Sequence, residues 1–486
     1  MNRLIAYLRR YRDSRKHVRP WALAVPVLVL LFCLPLLRPL RHPDPRDISD
    51  AELARYATVQ AMVERQSLSM DYELFRPGRG VIEKDGEFYS AQPPVYAALL
   101  ASAYWSMHKF GITFTSNPAL VTYLLTVLGS TLPAAGLAGL IYRMARLFEL
   151  PRIWRTTLAA TVVGGTGVLA YATVLNEPVP AAALVTSAFA CIIHIALAKR
   201  RLSAAVWLTL AGFCCALGAT IDLAAVVFIP ILAIVVLSLP WPAVTRLGGV
   251  VMFAIGLLPP LMLHYVLVSP VTGDWRPGIM HQELIATFPN VPTATAFTGD
   301  DWDDDLTDSG VSKFLFRNTG RIFTAAVGEH GVFSHFPMLV LGIIGISLIM
   351  HRHWPPSTKA MAGGTLLAAI FIVVVHTILR RGHTSGAFAT PVFIVFTPLL
   401  AFWIGAWLRR PHKPISWTAA GVLVAISFII TLIGALAGPL PRVPYDGFTP
   451  ADALDRLIHG TEADEVNMHR RGAENAENFK PQMGHG

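Results

Sequence analysis

Charge is scarce in this chain, and acid is scarcer than base. Only 15% of the 486 residues are charged, with 31 Asp and Glu against 40 Lys and Arg, while 53% are hydrophobic. A soluble domain of this size could not hide that much apolar surface in one core. Cysteine is nearly missing: Cys33, Cys191, Cys214 and Cys215 each sit inside an apolar run. That excludes a disulfide framework and a zinc-ligand spacing, and leaves the four as small hydrophobes in helices. No G-x-x-x-x-G-K-[ST] cradle for nucleotide phosphates is present, and nothing calls for a cofactor. No small-residue cleavage site follows the first apolar run, Trp21 to Leu37, which predicts a retained anchor rather than a signal peptide. The two halves show no convincing internal repeat, a feature of many secondary transporters.

What is present is a succession of long apolar runs, which predicts an all-helical polytopic membrane protein of about eleven spans. The expected cores are 21–38, 119–142, 154–174, 181–198, 203–219, 223–239, 247–268, 335–350, 359–379, 388–408 and 416–437. With the N-terminus in the cytoplasm, the inner segments collect half of the 40 lysines and arginines, and only Asp13 and Glu149 as acids. Seven of these bases precede Trp21, the others include Arg143, Arg146, Arg152 and Arg155 in one inner loop and Lys199, Arg200 and Arg201 in another, and the short turns at 175–180 and 220–222 carry no base. Positive residues in short loops mark the cytoplasmic side. The net charge of +9 therefore reports orientation rather than affinity for nucleic acid. An odd number of spans puts the C-terminal tail outside.

Extramembrane mass is one-sided. A basic N-terminus, 1–20, precedes a transmembrane domain, 21–438, whose large loops, 39–118 and 269–334, both face outward; a polar, partly disordered tail follows at 439–486. Within the first loop, Ser49 to Glu52 opens a helical pattern through Tyr56, Val59, Gln60 and Val63. The stretch from Pro94 to His108 reads as a helix lying along the outer leaflet. A channel or carrier needs no such investment on one face, which points to surface chemistry there.

Two segments of that loop carry the most information: Asp50-Ala-Glu-Leu-Ala-Arg-Tyr56, and Asp85-Gly-Glu-Phe-Tyr-Ser90 followed by Gln92-Pro93-Pro94-Val95-Tyr96. One span, an acidic-x-x-Arg-Tyr stretch and paired prolines together resemble the GT-C superfamily of glycosyltransferases. The likeness is to the protein O-mannosyltransferase and lipid A aminoarabinose transferase branch. The resemblance implies a polyprenyl-phosphate sugar donor, a catalytic carboxylate in the first outer loop, an active site at the outer face and residence in a bacterial cytoplasmic membrane. Glu52 matches the family's acid, four positions before Tyr56, with Asp50 as the alternative and Arg55 beside them. Gln92 stands where the aminoarabinose branch has lysine before the prolines; glutamine can only hydrogen-bond a phosphate, so another cation must substitute.

The chemistry needs both kinds of group. A carboxylate deprotonates an acceptor or stabilises charge at the anomeric carbon, and cations receive the departing phosphate. For Ser49 and Glu52 the competing reading is a capping box, with Asp50 favoured at the positive end of the helix dipole. Arg380, Arg381 and His383 stand at an outer helix end against the positive-inside trend and read as phosphate ligands, with snorkelling as the alternative. Arg317 and Arg321, His330, and Lys84 are further candidates. Asp222, like Glu177 in the neighbouring turn, lies at a membrane boundary, as a hydroxyl-binding acid or a helix cap. The acidic run at 300–305 reads as hydrated rather than metal-binding, and His194, His264 and His376 as interhelical hydrogen-bonders. The rival function is a transporter or flippase for a lipid-linked or anionic solute; uncharged span centres count against it.

Overall fold

A computed structural model describes residues 19–41, 48–70, 80–197, 202–281, 284, 311–328, 331–379, 387–440 and 449–459. The fold is mostly helical, 78% helix and 3% strand, and the chain is a multi-pass membrane protein. The apolar helices run from α1 (Arg19–Cys33) on to α4 (Pro118–Thr126), α5 (Leu132–Met144), α6 (Arg152–Gly165), α7 (Pro178–Leu197), α8 (Leu202–Ile221), α9 (Phe228–Leu237) and α10 (Ala243–Thr272). They continue with α12 (Leu339–Met350), α13 (Pro356–Leu379), α14 (Thr397–Phe402), α15 (Ile404–Leu408) and α16 (Pro414–Ala437). Between α1 and α4 lie α2 (Asp50–Gln60), the strands β1 (Val81–Lys84) and β2 (Glu87–Ser90), and α3 (Pro94–Lys109); α11 (Val311–Val327) precedes α12, and α17 (Pro450–His459) follows α16.

Seven helical stretches among the described residues are long and apolar enough to cross a bilayer, and an eighth if Thr319–His335 and Leu339–Met350, bent by 95°, count together. The other expected spans are helical but short or broken. The 154–174 run is interrupted at Gly167, whose φ of +75° suits a residue without Cβ. The 388–408 run begins as a 3-10 turn, Pro391–Val395, before α14 and α15. Hydropathy registers composition and overlooks such interruptions.

Burial separates the helices by role. Most of α7 is enclosed, whereas only 17% of the apolar stretch of α10 is buried and Val244, Leu247, Leu258 and Val266 face outward, as lipid-facing positions do. Close backbone approach joins α8 to α10: a Cβ on Gly212 would lie 2.0 Å from the Phe253 carbonyl oxygen, and one on Gly256 would lie 2.0 Å from that of Thr209. Small residues at such crossings allow helices to pack by dispersion where no hydrophobic force drives them together.

The loop between α1 and α4 is more built than the helical reading predicts. β1 and β2 form an antiparallel hairpin, Val81 opposite Ser90 and Lys84 opposite Glu87. Its two-residue turn, Asp85-Gly86, has φ of 55° and 78°. An Asp-Gly pair supplies both positive φ values that such a turn requires. The hairpin qualifies the all-helical expectation. The loop after α10 docks on it, with the Ile279 amide donating to the Ala91 carbonyl at 2.8 Å.

Candidate active site

α2 is held at its start by Ser49. The Ser49 hydroxyl accepts the Glu52 amide at 3.4 Å and donates to Glu52 Oε2 at 3.2 Å. The helix is buried along nearly its whole length, including Glu52, Arg55 and Tyr56. Buried charge persists only when paired and hydrogen-bonded, and both conditions hold. Arg38 Nη2 donates to Glu52 Oε1 at 3.0 Å, with Glu52 wholly enclosed. Arg55, one helical turn along, clamps both oxygens of Glu177 through Nε and Nη2.

The two ion pairs are knitted through one backbone segment. The Leu175 amide donates to Glu52 Oε1 at 3.2 Å, while the Leu175 carbonyl accepts Arg55 Nη1 at 2.9 Å. The Arg38 amide donates to the Thr173 carbonyl at 3.0 Å. Asn176 bonds the Ser130 hydroxyl from its side chain and backbone, 3.2 Å each, and accepts the Val179 amide at 3.1 Å. Two cations and two carboxylates thus converge on residues 173–177, where the segment between α1 and α4 meets the start of α7.

A cleft opens beside the second pair. Its inner part, about 10 Å³, is lined by Arg55, Glu177, Gln92, Pro93 and Tyr96. An outer part of about 20 Å³ shares Thr58, Ser90, Gln92 and Pro94 with it and is walled by Ile82, Leu267, Val268 and Val271. The cleft therefore passes from an ionic end to an apolar one. Tyr56 donates to or accepts from Thr126 Oγ1 at 3.3 Å. Burial pushes the phenols of both Tyr56 and Tyr96 well above their ordinary pKa, so each remains protonated.

No known protein-family model matches the sequence, and no curated protein sequence matches it. Solved structures are similar in three dimensions. An ArnT from Cupriavidus metallidurans in the apo state is 15% identical at a TM-score of 0.48, covering 87% of this chain, which spans only 64% of that one. The same enzyme bound to undecaprenyl phosphate gives 16% and 0.47, covering 95% of this chain and 81% of that one. The Archaeoglobus fulgidus oligosaccharyltransferase in the apo form gives 14% and 0.47, covering 86% and 56%. These proteins are GT-C glycosyltransferases. They include the aminoarabinose transferase that the first-loop motifs resemble.

The remaining sequence candidates distribute as follows. Asp50 is half-buried in the first turn of α2. Gln92 lines both parts of the cleft, and Lys84 Nζ, exposed on β1, donates to the Pro270 carbonyl at 3.2 Å. Asp222 caps the turn Leu223–Val227 by accepting the Ala224 amide at 2.9 Å. Arg317 and Arg321 are on α11. Arg380, Arg381, His383, His330 and the acidic run at 300–305 lie outside the described residues. Among the histidines, His194 packs on Trp207 and His376 on Phe393. His264 bonds the Trp275 carbonyl just beyond the end of its own helix, at 3.0 Å, rather than another helix. The reading missed Arg38, which bears the same signal as Arg380: a base at the end of a span that is expected to face outward, against the positive-inside trend.

Proposed function

We propose that the chain is a membrane glycosyltransferase that moves a sugar from a polyprenyl-phosphate donor to an acceptor on the non-cytoplasmic face. One observation carries the reading: a cleft whose inner wall is Arg55, Glu177 and Gln92 and whose outer wall is Ile82, Leu267, Val268 and Val271. An amphiphile with a phosphate head and a hydrocarbon tail fits that polarity, and the likeness of the first-loop motifs points to the same donor class.

In the proposed reaction a carboxylate takes the acceptor proton as the acceptor oxygen bonds the anomeric carbon. The bond from that carbon to the phosphate oxygen breaks, and the polyprenyl phosphate departs as a monoester. Glu52 and Asp50 are the candidate bases from the first loop. Glu177, the carboxylate on the cleft wall, joins them. Arg55 and Gln92 receive the phosphate oxygens, assisted by Lys84 and by Arg380, Arg381 and His383; Asp222, Arg317, Arg321 and His330 remain candidates for binding sugar or acceptor. A phosphate that takes Arg55 displaces Glu177 from it, so donor binding would itself release a base.

The test uses purified full-length chain, labelled polyprenyl-phosphate sugars and membrane acceptors, with Glu177→Gln, Glu52→Gln and Asp50→Asn compared at equal folded fraction. Loss of at least 100-fold in transfer is expected for at least one variant, as for a removed general base. Wild-type turnover in all three would discard the carboxylate assignment. Movement of the labelled lipid across vesicles without cleavage would favour the flippase instead.

A further inference from the structure

The opposite end of α5 and α6 carries a second unusual concentration of charge. α5 starts beside Ser130 and Thr131, at the Asn176 network, and α6 runs back toward that network over 14 residues. The turn joining them is therefore roughly 20 Å from it. Arg155, in the first turn of α6, is only 6% exposed, yet its Nε and Nη1 have no hydrogen-bond partner. Its guanidinium lies 5.3 Å above the Tyr142 ring, and the buried Tyr142 hydroxyl also has no partner. The charges of Arg146 and Arg152 bear on it with the same sign, and Arg146 Nε is likewise buried without an acceptor. Glu149, the acid in the turn, is engaged 2.9 Å away by Arg409.

A buried guanidinium surrounded by like charge is unfavourable unless an anion completes it. The start of α6 adds to the demand. Pro151, its N-cap, offers no side-chain acceptor, so the amides of Arg152, Ile153 and Trp154 are open to an anion. The depth is that of lipid headgroups: Trp154 stacks on Trp417 at 5.2 Å, and Arg409 lies over Trp354. Tryptophans gather at that level of a membrane.

We propose that the α5–α6 turn is a phosphate-binding site, with Arg155 as its buried anchor and Arg146, Arg152 and the α6 amides around it. An anionic phospholipid headgroup and free inorganic phosphate share the required chemistry. The site is separate from the cleft and does not depend on the transferase reading.

The experiment uses delipidated full-length protein in detergent, titrated with short-chain phosphatidylglycerol, short-chain phosphatidylcholine or inorganic phosphate. Native mass spectrometry reads binding and thermal unfolding reads stability. Phosphatidylglycerol is expected to bind wild type at least tenfold more tightly than Arg155→Gln, and more tightly than phosphatidylcholine, whose phosphate brings its own cation. Without lipid, Arg155→Gln should melt at or above wild type, because an uncompensated buried charge is gone. Arg146→Gln, at a half-exposed position, should weaken the same binding without unfolding the protein. Binding of inorganic phosphate with the same Arg155 dependence would assign the site to the soluble ion. Equal affinity of wild type and both variants for all probes would overturn the proposal.

Discussion

Glu52 shows how far one side chain can be committed to structure within a candidate site. Its carboxylate is occupied by Arg38, the Ser49 hydroxyl and the Leu175 amide, and no part of it reaches solvent. Neutralising it removes the carboxylate that Arg38 faces at 3.0 Å, and breaking a buried pair of this kind costs up to about 3–5 kcal/mol. Glu52→Gln should therefore lower the unfolding temperature in detergent, and adding Arg38→Met should restore part of it. A double variant no more stable than Glu52→Gln would show that the pair is not the source of the cost. The Ser49–Glu52 contact is readable from a spacing of three residues, because a capping motif is local. Arg38–Glu52 and Arg55–Glu177 span 14 and 122 positions, and no periodicity encodes such pairings. What the sequence does carry is the polarity of each partner: an arginine and an acid left at helix ends where hydropathy alone predicts neither.

Among the elements, α10 contains its own control experiment. Gly256 meets the Thr209 carbonyl across the α8 crossing, whereas a Cβ on Gly248, in the same helix, would meet nothing within 4 Å. Gly256→Ala forces backbone apart and should destabilise by about 1–3 kcal/mol, in the range of overpacked sites. Gly248→Ala gains helix propensity with no clash and should be neutral or stabilising by up to about 1 kcal/mol. Equal melting shifts for the two would contradict the close crossing. Gly342 and Gly345 use the same device on α12, against the carbonyls of Leu400 and Trp403. Hydrophobic runs reveal that such helices exist but not which glycine faces a neighbour, since that depends on rotation about an axis no sequence period fixes in an apolar helix. The hairpin was legible in principle from Asp85-Gly86 between short alternating strands, and an all-helical reading passes over it because four-residue strands carry so little signal.

For the molecule as a whole, the decisive arrangement is a cleft walled by the Arg55–Glu177 pair at one end of the bundle and an arginine-rich turn at the other. The proposed orientation, read from basic residues in short loops, puts the second end in the cytoplasm and turns the cleft outward, where a lipid-linked donor would meet its acceptor. The four native cysteines are all buried, so a membrane-impermeant maleimide should report chiefly on introduced thiols. In intact cells, Glu87→Cys on the exposed hairpin should label directly, and Lys413→Cys, between α15 and α16, only after permeabilisation. Direct labelling of Lys413→Cys with protection of Glu87→Cys would invert the molecule and remove the cleft from the outer face. Labelling of both in intact cells would be incompatible with two ends on opposite sides of one bilayer.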